Sequence, residues 1–107
     1  MSSIKIHWTP FALKCLDDIF EFISHESKSN ISAKKLVFKV IESTEQLERF
    51  PQSGTIEPLL EETGQGSRYL VADKNYKLIY QIVDKTIIIT DVFHVKQNPA
   101  KIQKRNN

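Results

Sequence analysis

At 107 residues, with 40% hydrophobic and 26% charged side chains, the chain has room for one layered core and excludes both a disordered tail and a fibrous repeat. The formal net charge of +2 excludes a strongly basic nucleic-acid binder, because nonspecific affinity grows with the number of phosphates neutralised. No run approaches the ~18 apolar residues of a membrane span, and the opening MSSIKIHW lacks a secretory leader's basic start and apolar run, so a cytoplasmic chain is expected.

Ile4, Ile6 and Trp8 alternate with Lys5 and His7, the period of two that marks a strand with one buried face. Thr9 and Pro10 follow. Threonine suits a helix N-cap, and proline suits the first helical position, where an N–H would be unpaired in any case. From there Ala12, Leu16, Ile19 and Ile23, with Cys15, Phe20 and Phe22 alongside, recur at spacings of three and four and predict a helix with a broad apolar stripe. Lys14, Asp17, Asp18 and Glu21 are left for solvent. Cys15, the only cysteine, leaves neither a disulfide nor a zinc framework and is expected as a buried thiol.

The polar stretch 25–30 leads to a second helix through Ala33, Leu36, Val37, Val40, Ile41, Thr44 and Leu47, expected to run to about Phe50. Pro51 and Gly54 end it, proline by disfavouring helical geometry in the residue before it, glycine by tolerating conformations that other residues avoid. Two such helices in close succession predict an antiparallel hairpin. Segment 51–66 is the longest irregular stretch, anchored only by Ile56, Leu59 and Leu60.

Residues 68–72, 76–83 and 86–95 are rich in Val, Ile, Tyr and Phe and are separated by turns at Asp73-Lys74-Asn75 and Asp84-Lys85, which predicts three consecutive antiparallel strands. Ile87-Ile88-Ile89 does not alternate and so belongs to a central or doubly covered strand. The order β-α-α-β-β-β predicts an α+β domain over residues 1–99, a helical hairpin packed on one face of an antiparallel four-stranded sheet, with a basic C-terminal tail at 100–107. Charge is sorted along the chain. From Val92 onward there is no acid but Lys96, Lys101, Lys104 and Arg105, whereas 41–62 sets Glu42, Glu45, Glu48, Glu57, Glu61 and Glu62 against Arg49.

The titratable residues taken alone point to no metal and no cofactor. His7 and His25 fall on solvent-facing positions, no histidine pair has a helical ligand spacing, and there is neither a Gly-rich phosphate loop nor a nucleophile elbow. Tyr69, Tyr76 and Tyr80 have faces on which bases stack, but aromatic strand residues ordinarily pack on the core.

Three segments in this order resemble the RelE/ParE toxin superfamily of type II toxin–antitoxin systems: the opening IHWTPFALKCLDDIFEFI, the phrase LERFPQSG, and SRYLVADKNYKLIYQIVDKTIIITDVFHVKQNP. The resemblance implies a toxin that arrests growth when free and is silenced by a cognate antitoxin. RelE-like members cleave messenger RNA on the ribosome, and ParE-like members poison DNA gyrase. RNA cleavage by internal transfer needs a base, cations for the developing charge, and an acid. Arg68 and Lys77 fall on matching basic positions, but Leu70 stands where a second lysine is expected, Gln97 stands where an arginine is expected, and no tyrosine follows Tyr80.

His94 is the remaining late acid–base candidate, and FHVKQNP resembles the ParE-like ending, in which that histidine occurs without nuclease activity. The resemblance is therefore closer to ParE-like members, acting by binding, with partner contacts expected from Arg68, Tyr76, Lys77, His94, Lys96, Gln97 and Asn98. The competing readings are a RelE-like endoribonuclease built on Arg68, Lys77 and His94, a non-toxic relative kept as a binding module, and an unrelated RNA-binding α+β domain. Weak overall charge disfavours the last.

Overall fold

Thr9 hands the chain from strand to helix as its sequence foretells. Its side chain accepts a hydrogen bond from the Ala12 N–H at 3.1 Å, and Pro10 opens the helix. A computed structural model of the chain describes residues 4–58, 60, 64 and 66–96. Strand β1 (Lys5–Trp8) turns Ile6 and Trp8 toward the core, and α1 (Pro10–Ser27) buries Ala12, Cys15 and Leu16. Lys28 in the left-handed conformation, φ 56°, ends α1. Ser29 then caps α2 (Asn30–Glu42), accepting from the Ser32 N–H at 3.2 Å.

The second helix does not run unbroken to Phe50. It stops at Glu42, and a short α3 (Glu45–Arg49) follows. Ser43 and Thr44 explain the break: their hydroxyls donate back to the carbonyls of Val40 at 2.6 Å and Ile41 at 2.7 Å, competing with the helical ladder. The buried stripe Ala33, Val40, Thr44 and Leu47 nevertheless continues through the break, so both pieces face the same core.

The α+β class and the helices on one sheet face are as read, but the sheet is five-stranded and mixed rather than four-stranded and antiparallel. The order is β1-β5-β4-β3-β2, with β2 (Thr55–Ile56), β3 (Arg68–Ala72), β4 (Tyr76–Val83) and β5 (Thr86–His94). Strand β1 pairs in parallel with β5, from Lys5 opposite Thr86 to Trp8 opposite Ile89. Helices α1, α2 and α3 separate β1 from the other strands, so no hairpin turn dictates its direction. Strand β2 comes from the stretch read as irregular, and two residues are too short to show a period.

Strand β5 lies between β1 and β4, and Ile87 and Ile89 are fully buried, in keeping with the unalternating isoleucine run. The main core joins α1, α2 and α3 to Leu70, Ala72, Leu78, Tyr80, Ile87, Ile89 and Val92 on one sheet face. A smaller cluster, Leu60, Ile79 and Phe93 with Tyr69, is built from the alternate strand positions. Tyr80 pairs with Ile89 but Ile79 pairs with Asp91, which leaves Thr90 as a bulged extra residue. Ile89 and Val92 are three residues apart, and plain alternation would put them on opposite faces. The bulge lets both enter the main core.

Candidate functional site

The bulge also brings the end of β5 under α1. Cys15, Asp18, Ile19 and Phe22 lie along one face of α1, and with Tyr76, Val92, Phe93, His94 and Lys96 they line a groove of about 490 Å³. Its floor is largely apolar, while Asp18, His94 and Lys96 supply charge and polarity. Phe22 is 61% exposed, a large aromatic surface left in water. The Cys15 thiol is buried, as expected, and donates to the fully buried Asp91 carboxylate at 3.6 Å.

Tyr76 and His94 are paired across β4 and β5, with their rings edge to face at 5.2 Å. Burial pushes the Tyr76 hydroxyl above its usual value of 10.0, and the negative charge of Asp73 adds to the shift. Tyr76 thus stays neutral at physiological pH and suits hydrogen bonding better than proton abstraction. His94 Nδ1 accepts the Lys96 N–H at 3.1 Å, which leaves Nε2 to carry the proton in the neutral ring.

Arg68 and Lys77 are engaged elsewhere. Arg68 donates to the carbonyl oxygens of Gly54 at 2.9 Å and Gln52 at 3.4 Å. Lys77 Nζ lies 3.1 Å from Oε2 of the fully buried Glu57 and 4.1 Å from the centre of the Tyr69 ring. Between them Tyr80 donates its hydroxyl to the Pro51 carbonyl at 2.8 Å and accepts the Gly54 N–H at 2.9 Å. Gly54 is required here for close approach rather than for an unusual φ, since a Cβ would lie 2.6 Å from the Tyr69 carbonyl oxygen. Arg68, Lys77 and Tyr80 together fasten the segment after α3 to the sheet.

Tyr76, His94 and Lys96 therefore meet in one groove. Arg68 sits opposite Tyr80, four residues along β4 from Tyr76 and so about 13 Å away at the usual strand rise. Lys77, next to Tyr76 in the strand, takes the alternate face. The three basic groups weighed for nuclease chemistry do not converge on one phosphate-sized position. Gln97 and Asn98 lie outside the described residues. Among the described residues no group of three His, Cys, Asp or Glu side chains is placed to hold a metal, and no helix is long and apolar enough to cross a membrane.

Glu57, Asp91 and the α1 wall of the groove were not legible as site residues. Glu57 has no local pattern beyond an acidic stretch. Asp18 is exposed, as its helical spacing predicts, and its place on the groove's rim depends on a strand end that helical spacing does not show.

Comparison with known proteins agrees with this architecture. The family described as "ParE toxin of type II toxin-antitoxin system, parDE" matches residues 6–99. Among solved structures the chain resembles one from a chromosomal ParDE toxin–antitoxin system of P. aeruginosa at a TM-score of 0.74 and 21% identity, over 90% of this chain and 100% of that one. A search of curated proteins found no match. With the family match spanning nearly the whole chain, this protein belongs to the ParE toxins of type II toxin–antitoxin systems.

Proposed function

We propose that this toxin acts in the cytoplasm by binding DNA gyrase rather than by cutting RNA, and that its cognate antitoxin silences it by covering the groove between α1 and the end of β5. Family membership supports gyrase as the target. The observation that carries the mechanism is the separation of Arg68 and Lys77 from His94, since each cation is already committed within the chain. A cleavage site needs its base, acid and charge stabilisers within hydrogen-bond reach of one substrate. Tyr76, His94 and Lys96 provide partner contacts in the groove, and the family resemblance adds Gln97 and Asn98 to the proposed contacts. Arg68 and Lys77 add only the partly exposed edges they leave after holding the loop.

A supercoiling assay with purified gyrase tests the reading. Supercoiling is expected to stop on adding the toxin and to recover when the antitoxin is supplied in excess. His94→Ala is expected to keep most of this inhibition. Undisturbed supercoiling together with mapped cuts in translated messages would assign the protein to the endoribonuclease reading.

A further inference from the structure

The core-facing stripe of α2 and α3, Ala33, Val37, Val40, Thr44 and Leu47, advances by steps of four, three, four and three residues. The opposite ridge therefore runs through Ile31, Lys35, Phe38, Glu42 and Glu45, with Lys34 and Glu48 on its flank. All seven side chains are exposed, Ile31 to 69% and Phe38 to 63%.

Two features set this ridge apart. Large apolar side chains occupy the pole that a solvated helix normally gives to polar ones. Charge is also polarised along its length, with Lys34 and Lys35 in the first half and Glu42, Glu45 and Glu48 in the second. A shallow depression of about 460 Å³ lined by Lys34, Lys35, Phe38, Lys39 and Glu42 lies at the junction. Lys39, beside the ridge, is already held by Asp73 at 3.7 Å.

A polarised ridge is complementary to its own reverse. Two copies laid antiparallel about a two-fold axis near Phe38 set Lys34 and Lys35 of each opposite Glu42 and Glu45 of the other, and bring the two Phe38 rings together at the axis. This is the self-matching geometry of an isologous dimer. A parallel arrangement would set like charges side by side. A flat anionic surface would meet Glu42, Glu45 and Glu48 together with the exposed Asp17 and Glu21 of α1. We infer that the outer ridge of α2 and α3 is a self-association surface that pairs two copies of this chain antiparallel around Phe38. The inference is independent of the gyrase reading. One helical ridge covers less than the ~1,200 Å² of a standard stable interface, so the pairing is concentration-dependent.

Sedimentation velocity of the full-length chain from about 1 µM to about 300 µM tests it, a range that brackets weak homodimers. The weight-average mass is expected to climb from monomer to dimer, and Phe38→Ser to raise the dissociation constant about tenfold or more. Lys34→Glu with Lys35→Glu, and separately Glu42→Lys with Glu45→Lys, are each expected to remain monomeric. An equimolar mixture of these two double variants is expected to dimerise again, because each reversed half then faces its complement. Circular dichroism checks that the exposed substitutions leave the fold intact. A monomer at every concentration, a dimer that survives both charge reversals, or a mixture that stays monomeric overturns the inference.

Discussion

Lys77 shows how a residue type suited to catalysis is diverted to structure. Its ammonium neutralises Glu57, whose side chain is fully buried, and lies over the Tyr69 ring. Lys77→Met takes the cation from a buried carboxylate and is expected to cost about 3 kcal/mol, the low end for a broken buried pair because Lys77 keeps some solvent. Glu57→Gln in the same chain should recover part of that loss, so urea denaturation of the two singles and the double should show strong non-additivity. Strictly additive costs would mean that the pair is not coupled. Tyr76 and Tyr80 make a second residue-scale case, since burial raises both above 10.0. Asp73 reinforces the shift for Tyr76, while the Gly54 N–H and Arg68 oppose it for Tyr80. Above pH 10 the unfolded chain sheds phenolic protons that the folded chain retains, so their contribution is complete below the unfolded value and is lost as pH rises through the folded one. Unfolding free energy should therefore fall on the alkaline side, and Tyr76→Phe should flatten that fall relative to the unaltered protein.

At the scale of elements the decisive feature is the single extra residue in β5. Deleting Thr90 would restore plain alternation and move Asp91, Val92, Phe93 and His94 each to the other face, taking Val92 out of the main core and Phe93 out of its cluster with Leu60 and Ile79. The deletion is expected to cost more than a large-to-small change at one core position, about 2–5 kcal/mol, and to abolish the cooperative unfolding transition followed by circular dichroism. A stable, cooperative deletion variant would show that the bulge does not set the register. No turn residue or period announces that bulge, because it is a property of pairing between β4 and β5. The elements legible in advance were those with local chemistry: Thr9-Pro10 opening α1, the two helical stripes, and the turns bounding β3, β4 and β5. The parallel direction of β1 was hidden because it is decided across the helical hairpin. The break at Ser43-Thr44 was hidden because Thr44 keeps the apolar spacing while its hydroxyl works against the helix. Tyr76, His94 and Lys96 are named through the family resemblance alone, and the α1 wall that completes their groove exists only once helix and sheet have packed.

Across the whole molecule, the contacts that secure the fold and the groove proposed for partners fall on different parts of the surface. The segment after α3 is tied down by Arg68, Tyr80 and the Glu57–Lys77 pair, so disturbing it changes folding before it changes recognition. The groove beside α1 combines a buried Tyr76, a half-buried His94 and an apolar floor with Phe22 standing exposed on its wall, and so it offers an anchor position that the fold itself does not need. Phe22→Glu is expected to shift unfolding free energy by no more than about 0.5 kcal/mol, as for an exposed position outside the core. The same change should weaken antitoxin binding about tenfold or more, because the lost aromatic contact is replaced by a carboxylate that must be desolvated against apolar atoms. Titration calorimetry of the variant against the antitoxin, alongside chemical denaturation of the toxin alone, separates the two effects. Unchanged affinity would remove the groove as the antitoxin's seat, whereas a large loss of stability would show that Phe22 belongs to the core rather than to the interface.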